Sequence, residues 1–281
     1  TRKCDEPLTE KRLFAWHAAL FPTGYSGLNK ILVGEWRDDH DGPMEVVSGR
    51  YGNPKVHFEA PGYLQLPAEM ASFFKWFEEA ENIDSLIKAG VAHFYFVTLH
   101  PFADGNGRIA RAIADLSLAR ADKMKQRYYS MSAQINIEKK VYYDTLEASQ
   151  KATLDITQWL EWFLACLVRA IMGAEVVLAD ILEKARVWQS LAQFFINERQ
   201  RQILNRLLDG VFFGVLSAAK YAKIAHCSQD TANRDLGQLV EYGALIRVGK
   251  GKATKYVLRE SSDSGAATDR GDLLDDSGKE A

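Results

Sequence analysis

The stretch from His100 to Arg111, HPFADGNGRIAR, limits what this chain can fold into more than any other. Upstream of it, Ile83, Leu86, Ile87, Val91, Phe94 and Val97 recur near helical spacing and predict a buried helix over residues 83–99. Pro101 has no N–H to continue that helix and biases His100 away from helical dihedrals. Ala103 to Gly107 is turn chemistry, permissive at positive φ and bare of Cβ at two points. From Arg108 onward, Ile109, Ile113 and Leu116 restore a helical period. The pattern is therefore helix, stop, glycine loop, helix, with the loop at a helix N-terminus where unpaired N–H groups favour an anion.

The side chains in this frame are those of phosphate chemistry. His100 is the one group in the loop that titrates near neutrality, which suits a general base for an incoming hydroxyl. Asp104 is a hard oxygen ligand suited to Mg²⁺, an ion that usually takes one or two carboxylates plus substrate phosphates. Asn106 either hydrogen-bonds a phosphate oxygen or holds the loop. Arg108 and Arg111 are three apart in the first turn, share a face, and can grip neighbouring phosphates. A turn has no need of a histidine and two arginines at these offsets, so a purely structural reading explains the string poorly.

The string matches HxFx(D/E)GNGRxxR at every specified position, and the chain resembles the Fic family over roughly residues 8–190. The resemblance implies a mainly α fold, a helical bundle with a β-hairpin flap. It implies transfer of AMP from ATP to a Tyr, Thr or Ser hydroxyl of a target protein or of the chain itself, with release of pyrophosphate. Carried over by position, His100 is the base and Asp104 holds Mg²⁺. Gly105 and Gly107 offer backbone amides, Asn106 and Arg108 meet the α and β phosphates, and Arg111 meets the γ phosphate. Tyr143 and Gln150, on the helix that follows, are expected against the base. From spacing alone, a Tyr-Tyr pair on an amphipathic helix is more often core than a cofactor site. Residues 44–48 and 55–58 flank Gly49 to Pro54 as the flap, with Val46, Val47, Val56 and His57 expected to hold a target segment by strand addition. On periodicity alone this is equally a surface hairpin. Relatives with this layout often carry an inhibitory helix, [S/T]xxxE[G/N]; the pattern is absent from these residues, and the chain is expected to be a fragment lacking that brake. Removal of AMP by a longer form is an alternative, as is a nucleotide-sensing transcription regulator.

A second region resembles a small winged helix–turn–helix domain. Asn197 to Leu208, Ser217 to Ala225 and Gln229 to Tyr242 read as helices, and Leu245–Val248 and Thr254–Leu258 as strands around a glycine tip. Between Phe195 and Leu258, ten basic residues face five acidic ones. Gln229, Asn233 and Arg234 are candidates to reach base edges, and Lys250 and Lys252 a phosphate or the minor groove. Such modules also dock proteins or dimerise, and Arg234 and Asp235 alternatively pair with each other. The expected divisions are 1–190, 191–259 and an acidic disordered tail at 260–281, where seven acids face two bases.

Composition fits this outline. The formal net charge of −2 over 281 residues points to no polyanion partner for the chain as a whole. Cys4, Cys166 and Cys227 have neither metal nor disulfide spacing, so a reducing, cytoplasmic setting is expected. No signal peptide is evident, and the apolar stretch from Trp159 to Leu182, interrupted by Glu161, Arg169, Glu175 and Asp180, reads as one or two buried helices, not a membrane span. Oligomeric state, including a homodimer, is open.

Overall fold

Alternating apolar and polar positions at helical spacing become seven helices in the first part of the computed structural model, which describes residues 3–38, 42–50, 53–80, 82–123, 127–152, 154–210, 215–249, 251 and 254–259. Lys250, Lys252 and residues 260–281 lie outside the described residues. Two compact units are present, Thr1–Val176 and Val177–Ala281.

The first unit contains α1 (Glu10–Leu20), two short strands β1 (Tyr25–Ser26) and β2 (Asn29–Lys30), the hairpin β3 (Glu45–Arg50) and β4 (Asn53–Glu59), and helices α2 (Leu66–Glu79), α3 (Ser85–Leu99), α4 (Asn106–Asp122), α5 (Met131–Ile137) and α6 (Lys139–Lys151). The first half of α7 (Thr157–Ser190) completes it. Phe73, Phe77, Phe96, Phe102, Trp159 and Phe163 are fully buried in one cluster with Ile109 and Ile113. Each such side chain contributes about 1.5–3 kcal/mol of burial, so the motif helix is anchored by the core itself. Gly90 of α3 lets α7 close in: a Cβ there would lie 3.0 Å from Leu160 and Phe163, and its carbonyl accepts the Trp159 indole N–H at 2.9 Å.

The expected buried stretch over 159–182 requires correction. Trp159, Phe163, Cys166, Leu167 and Ala170 are buried, but Met172, Val176, Val177, Leu178, Ile181 and Leu182 are exposed. Apolar composition continued past the point where the core ended. By length and composition alone α7 is long enough to cross a membrane, yet its first half is a core helix of this unit.

β3 and β4 pair antiparallel from Glu45↔Glu59 to Arg50↔Asn53. The expected loop at Gly49–Pro54 is thus mostly ladder. The register shifts between Val46 and Val47, which places His57 in a bulge.

In the second unit, α8 (Glu198–Leu208) opens with a capping box in which Asn197 and Gln200 satisfy each other's backbone N–H. α9 (Ala218–Ile224) starts at Ser217, and α10 (Gln229–Glu241) at Ser228, whose hydroxyl accepts the Thr231 N–H. His226, at φ 49°, makes the turn between them. β5 (Leu245–Val248) and β6 (Lys255–Leu258) form a hairpin, and Leu216 bridges to Tyr256 beside it. Ile203, Leu204, Tyr221, Leu236, Leu239 and Leu245 make its core. Asp235 is buried there and accepts hydrogen bonds from Asn197, Arg199 and Tyr221. Its partner is Arg199, not the adjacent Arg234. Burial opposes its charge, but the bonds from Arg199, Tyr221 and Asn197 outweigh that and hold it below its ordinary value.

Candidate active site

α3 ends where Pro101 forbids another helical bond. His100 takes the left-handed conformation there (φ 49°, ψ 53°), its N–H returning to Phe96 O. A side chain in that region costs on the order of 1 kcal/mol, and the surroundings must hold it. Arg37 does so: its Nε donates to His100 O at 2.8 Å and its backbone N–H to Pro101 O at 2.9 Å, with only 4% of the residue exposed. The His100 ring donates Nδ1–H to Val97 O at 3.2 Å, which leaves the lone pair on Nε2. Burial drives its pKa down to about 4, Arg37 pushing the same way against the Val97 bond and Asp104. The imidazole is neutral near pH 7, the form a proton acceptor requires.

Between His100 and α4 the loop is fixed by Asn106. Its Oδ1 accepts Phe102 N–H at 2.9 Å and its Nδ2 donates to Phe102 O at 2.8 Å, with 2% exposure. Both ends of the amide are used. Of the two roles expected for Asn106, the side chain performs the loop-holding one, and both of its polar ends are engaged there. Gly105 sits at φ 85° as the N-cap, and a Cβ there would meet Phe21 at 2.9 Å. The Arg108 N–H already bonds Gly105 O, so the N–H groups of Asn106 and Gly107 are the orphan donors of this turn.

Asp104 is half-exposed. Its Oδ1 accepts Gly105 N–H at 2.5 Å, and its Oδ2 accepts from the Ser26 hydroxyl and, at 3.4 Å, from Arg108. Its backbone carbonyl accepts from His17 Nε2 at 3.1 Å, because His17 Nδ1 already accepts Gly34 N–H. The buried His17 ring also stacks on Phe102, centroids 4.2 Å apart. Among the described residues, no three His, Cys, Asp or Glu side chains converge on one metal site. One half-exposed carboxylate beside free backbone amides still suits Mg²⁺, which keeps water and phosphate oxygens as its other ligands.

Arg108 stacks over Phe21 at 4.6 Å. Arg111 makes no ion pair among the described residues and lines a cavity of about 370 Å³ with Ser132, Asn136, Lys139, Tyr142 and Tyr143. Tyr143, 52% exposed, lies on its wall. Gln150, two turns further along α6, is not part of this lining, and its amide donates to Thr98 Oγ1 at 3.2 Å. A second cavity of about 650 Å³ is lined by residues 29–32, Arg37, residues 42–45, Val47 and the motif's Ala103.

The hairpin is tied to the same site. His57 Nδ1 meets Glu147 Oε2 of α6 at 2.5 Å, and Lys151 and Lys55 reach the same carboxylate. Those bonds, Lys151 first and His57 next, hold Glu147 down to about 2. His57 thus ties the hairpin to α6. Val46 is half-buried, while Val47 and Val56 are exposed. In the second unit Gln229, Asn233 and Arg234 are exposed on α10.

Sequence reasoning missed Arg37, Ser26 and His17. The one available signal was His17 at helical spacing from Leu13 and Phe21, a polar residue in an apolar stripe.

Residues 7–118 match the Fic/DOC family. The chain is 22% identical over 150 residues to a probable protein adenylyltransferase of Aquifex aeolicus, covering 51% of this chain and 46% of that one. It is 33% identical over 105 residues to a uridine 5′-monophosphate transferase of Xanthomonas campestris, covering 33% of this chain and 20% of the relative. The matched part thus spans less than half of either relative. A crystal structure of a Fic family protein from Desulfovibrio desulfuricans shares the fold, with a TM-score of 0.50 at 24% identity over 90% of this chain and 69% of that one. Within the matched segment the HPFADGNGRIAR string joins α3 to α4.

Proposed function

We propose that this chain is a nucleotidyl transferase that moves AMP from ATP onto a hydroxyl side chain of a protein segment paired along the hairpin, releasing pyrophosphate. The observation that carries this reading is His100, half-buried, neutral and with Nε2 unprotonated, one loop away from the free amides of Asn106 and Gly107.

In the reaction the acceptor oxygen attacks the α phosphorus while Nε2 of His100 takes its proton. The α–β bridging P–O bond breaks, and pyrophosphate leaves with the electron pair. The backbone amides at Asn106 and Gly107 receive phosphate oxygens, and Arg108 and Arg111 carry the leaving group's charge. Asp104 would hold Mg²⁺, which supplies charge neutralisation on the phosphates. The exposed edge of the hairpin receives the target by backbone pairing, with Val47 and Val56 as apolar contacts. ATP is chosen over UTP because adenylyltransferases are among the relatives; the loop itself reads phosphate, not base.

We also propose that the second unit is a winged helix–turn–helix domain. Its exposed Gln229, Asn233 and Arg234 on α10 support DNA contact, which a gel shift titrated with salt tests, since affinity independent of salt rules out phosphate contacts.

For the enzyme, His100→Ala is incubated with Mg²⁺ and α-labelled ATP or UTP. Transfer should fall by at least about 10²-fold, with nucleotide binding retained. Undiminished transfer would remove the base from the mechanism.

A further inference from the structure

Ser26 belongs to no part of the motif, yet its hydroxyl donates to Asp104 Oδ2 from 78 residues away. We propose that Ser26 is a positioning residue that sets the carboxylate of Asp104 for a divalent cation. This rests on the reading of Asp104 as the metal-binding group.

The carboxylate has two oxygens in different situations. Oδ1 is taken by the N–H of Gly105, inside its own loop. Oδ2 accepts from two side chains, on a carboxylate that is half-exposed, and is the oxygen assigned to the cation. Arg108, at 3.4 Å, brings a positive charge that competes with a metal for that oxygen. Ser26 brings a neutral hydroxyl, which fixes the rotation of the carboxylate without cancelling its charge. A hydroxyl that has donated its hydrogen also keeps lone pairs, so the environment stays rich in hard oxygen.

Ser26 is placed by backbone, not by side-chain packing. It lies on β1, where Tyr25 pairs with Lys30 and Ser26 with Asn29, and Ile31 N–H closes onto Gly24 O at 3.0 Å. His17 grips the other side of the same residue through the Asp104 carbonyl and holds Gly34 beyond the strands. The segment before the hairpin thus serves as an outer shell to the motif. Groups that orient a ligating carboxylate are worth roughly 10–100-fold in metal affinity.

The test is calorimetric binding of α,β-methylene-ATP to the whole chain, once with Mn²⁺ and once with EDTA. The ratio of the two affinities isolates what the metal contributes. Ser26→Ala should reduce that ratio by about tenfold and leave the EDTA value unchanged, and Ser26→Thr should restore it. An unchanged ratio in Ser26→Ala, or an equal fall with and without metal, overturns the proposal. Asp104→Ala in parallel separates the two levels. If it abolishes the ratio while Ser26→Ala does not alter it, only the positioning role fails. If the ratio survives Asp104→Ala, the metal assignment itself is lost, and the role of Ser26 with it.

Discussion

Replacing Asn106 by Asp changes one atom and tests what holds the phosphate loop. In the native chain Oδ1 accepts Phe102 N–H and Nδ2 donates to Phe102 O, all within a buried setting. An ionised aspartate keeps the first bond and sets a carboxylate oxygen against the Phe102 carbonyl, 2.8 Å from where the amide nitrogen stood. Losing one buried bond and leaving its partner unsatisfied costs about 1–3 kcal/mol, and more where the intruder is charged. The folded state therefore prefers the protonated acid, whose O–H restores the donor, and the pKa of the introduced carboxyl should rise above its unfolded value of about 4. A group raised on folding contributes stability that is complete below the unfolded pKa and is lost as pH rises through the folded one. Urea unfolding should then place Asn106→Asp about 2–4 kcal/mol below the native chain at pH 7 and nearer to it at pH 4.5. Asn106→Ala, which has nothing to protonate, should lose a similar amount at both pH values. A pH-independent deficit in the aspartate variant, or no deficit in either, would refute the assignment of Asn106 as the loop's clamp.

Further outcomes are expected. Because burial holds His100 at about 4, the rate of transfer should stay level down to about pH 5 and fall only near pH 4; an acid limb near 6.5 contradicts the half-buried, neutral base. His100 and His93, the latter driven to about 3 by burial, bind protons in the unfolded chain before the folded one. Fold stability should thus be complete above about pH 6.5 and decline as pH falls below it, which calorimetry across pH checks. Gly105→Ala puts a side chain at φ 85° and a Cβ 2.9 Å from Phe21, the ring under Arg108. It should cost roughly 1–2 kcal/mol in backbone strain alone and weaken nucleotide binding by about tenfold; unaltered affinity counts against the close approach. Asp235→Asn turns one of two acceptor oxygens into a donor, facing either Tyr221 or Asn197, and should destabilise the second unit by about 2 kcal/mol without altering transfer, as urea unfolding and a labelled-ATP assay would register. In the native unit, the depressed carboxylate implies stability present above its unfolded pKa and lost as pH falls.

What could be read from the chain and what could not divide along a physical line. Pro101, the glycines and the return of periodicity at Ile109 are local signals, and they placed α3, the loop and α4. The helices from Glu198 to Glu241 were legible for the same reason, each with a capping side chain at its start. Arg37 and Ser26 act from irregular segments on residues 63 and 78 positions away, and no period marks such a contact. The contact of His57 with Glu147 was not legible because alternation reports which residues share a face, not which carboxylate waits across it. The second half of α7 misled for a related reason: apolar spacing shows that a helix has a face to bury, and the core ended at Ala170. Asn106 had two open roles that only geometry separated.

Glu147 joins β4, through His57 and Lys55, to the helix that carries Tyr143 beside Arg111. On the proposed function, the strand that would present an acceptor and the wall that would flank a donor thus share this carboxylate. A displacement of one would then act on the other through these direct contacts. If the proposed transfer holds, coupling of this kind would let two ligands favour each other's binding through one glutamate.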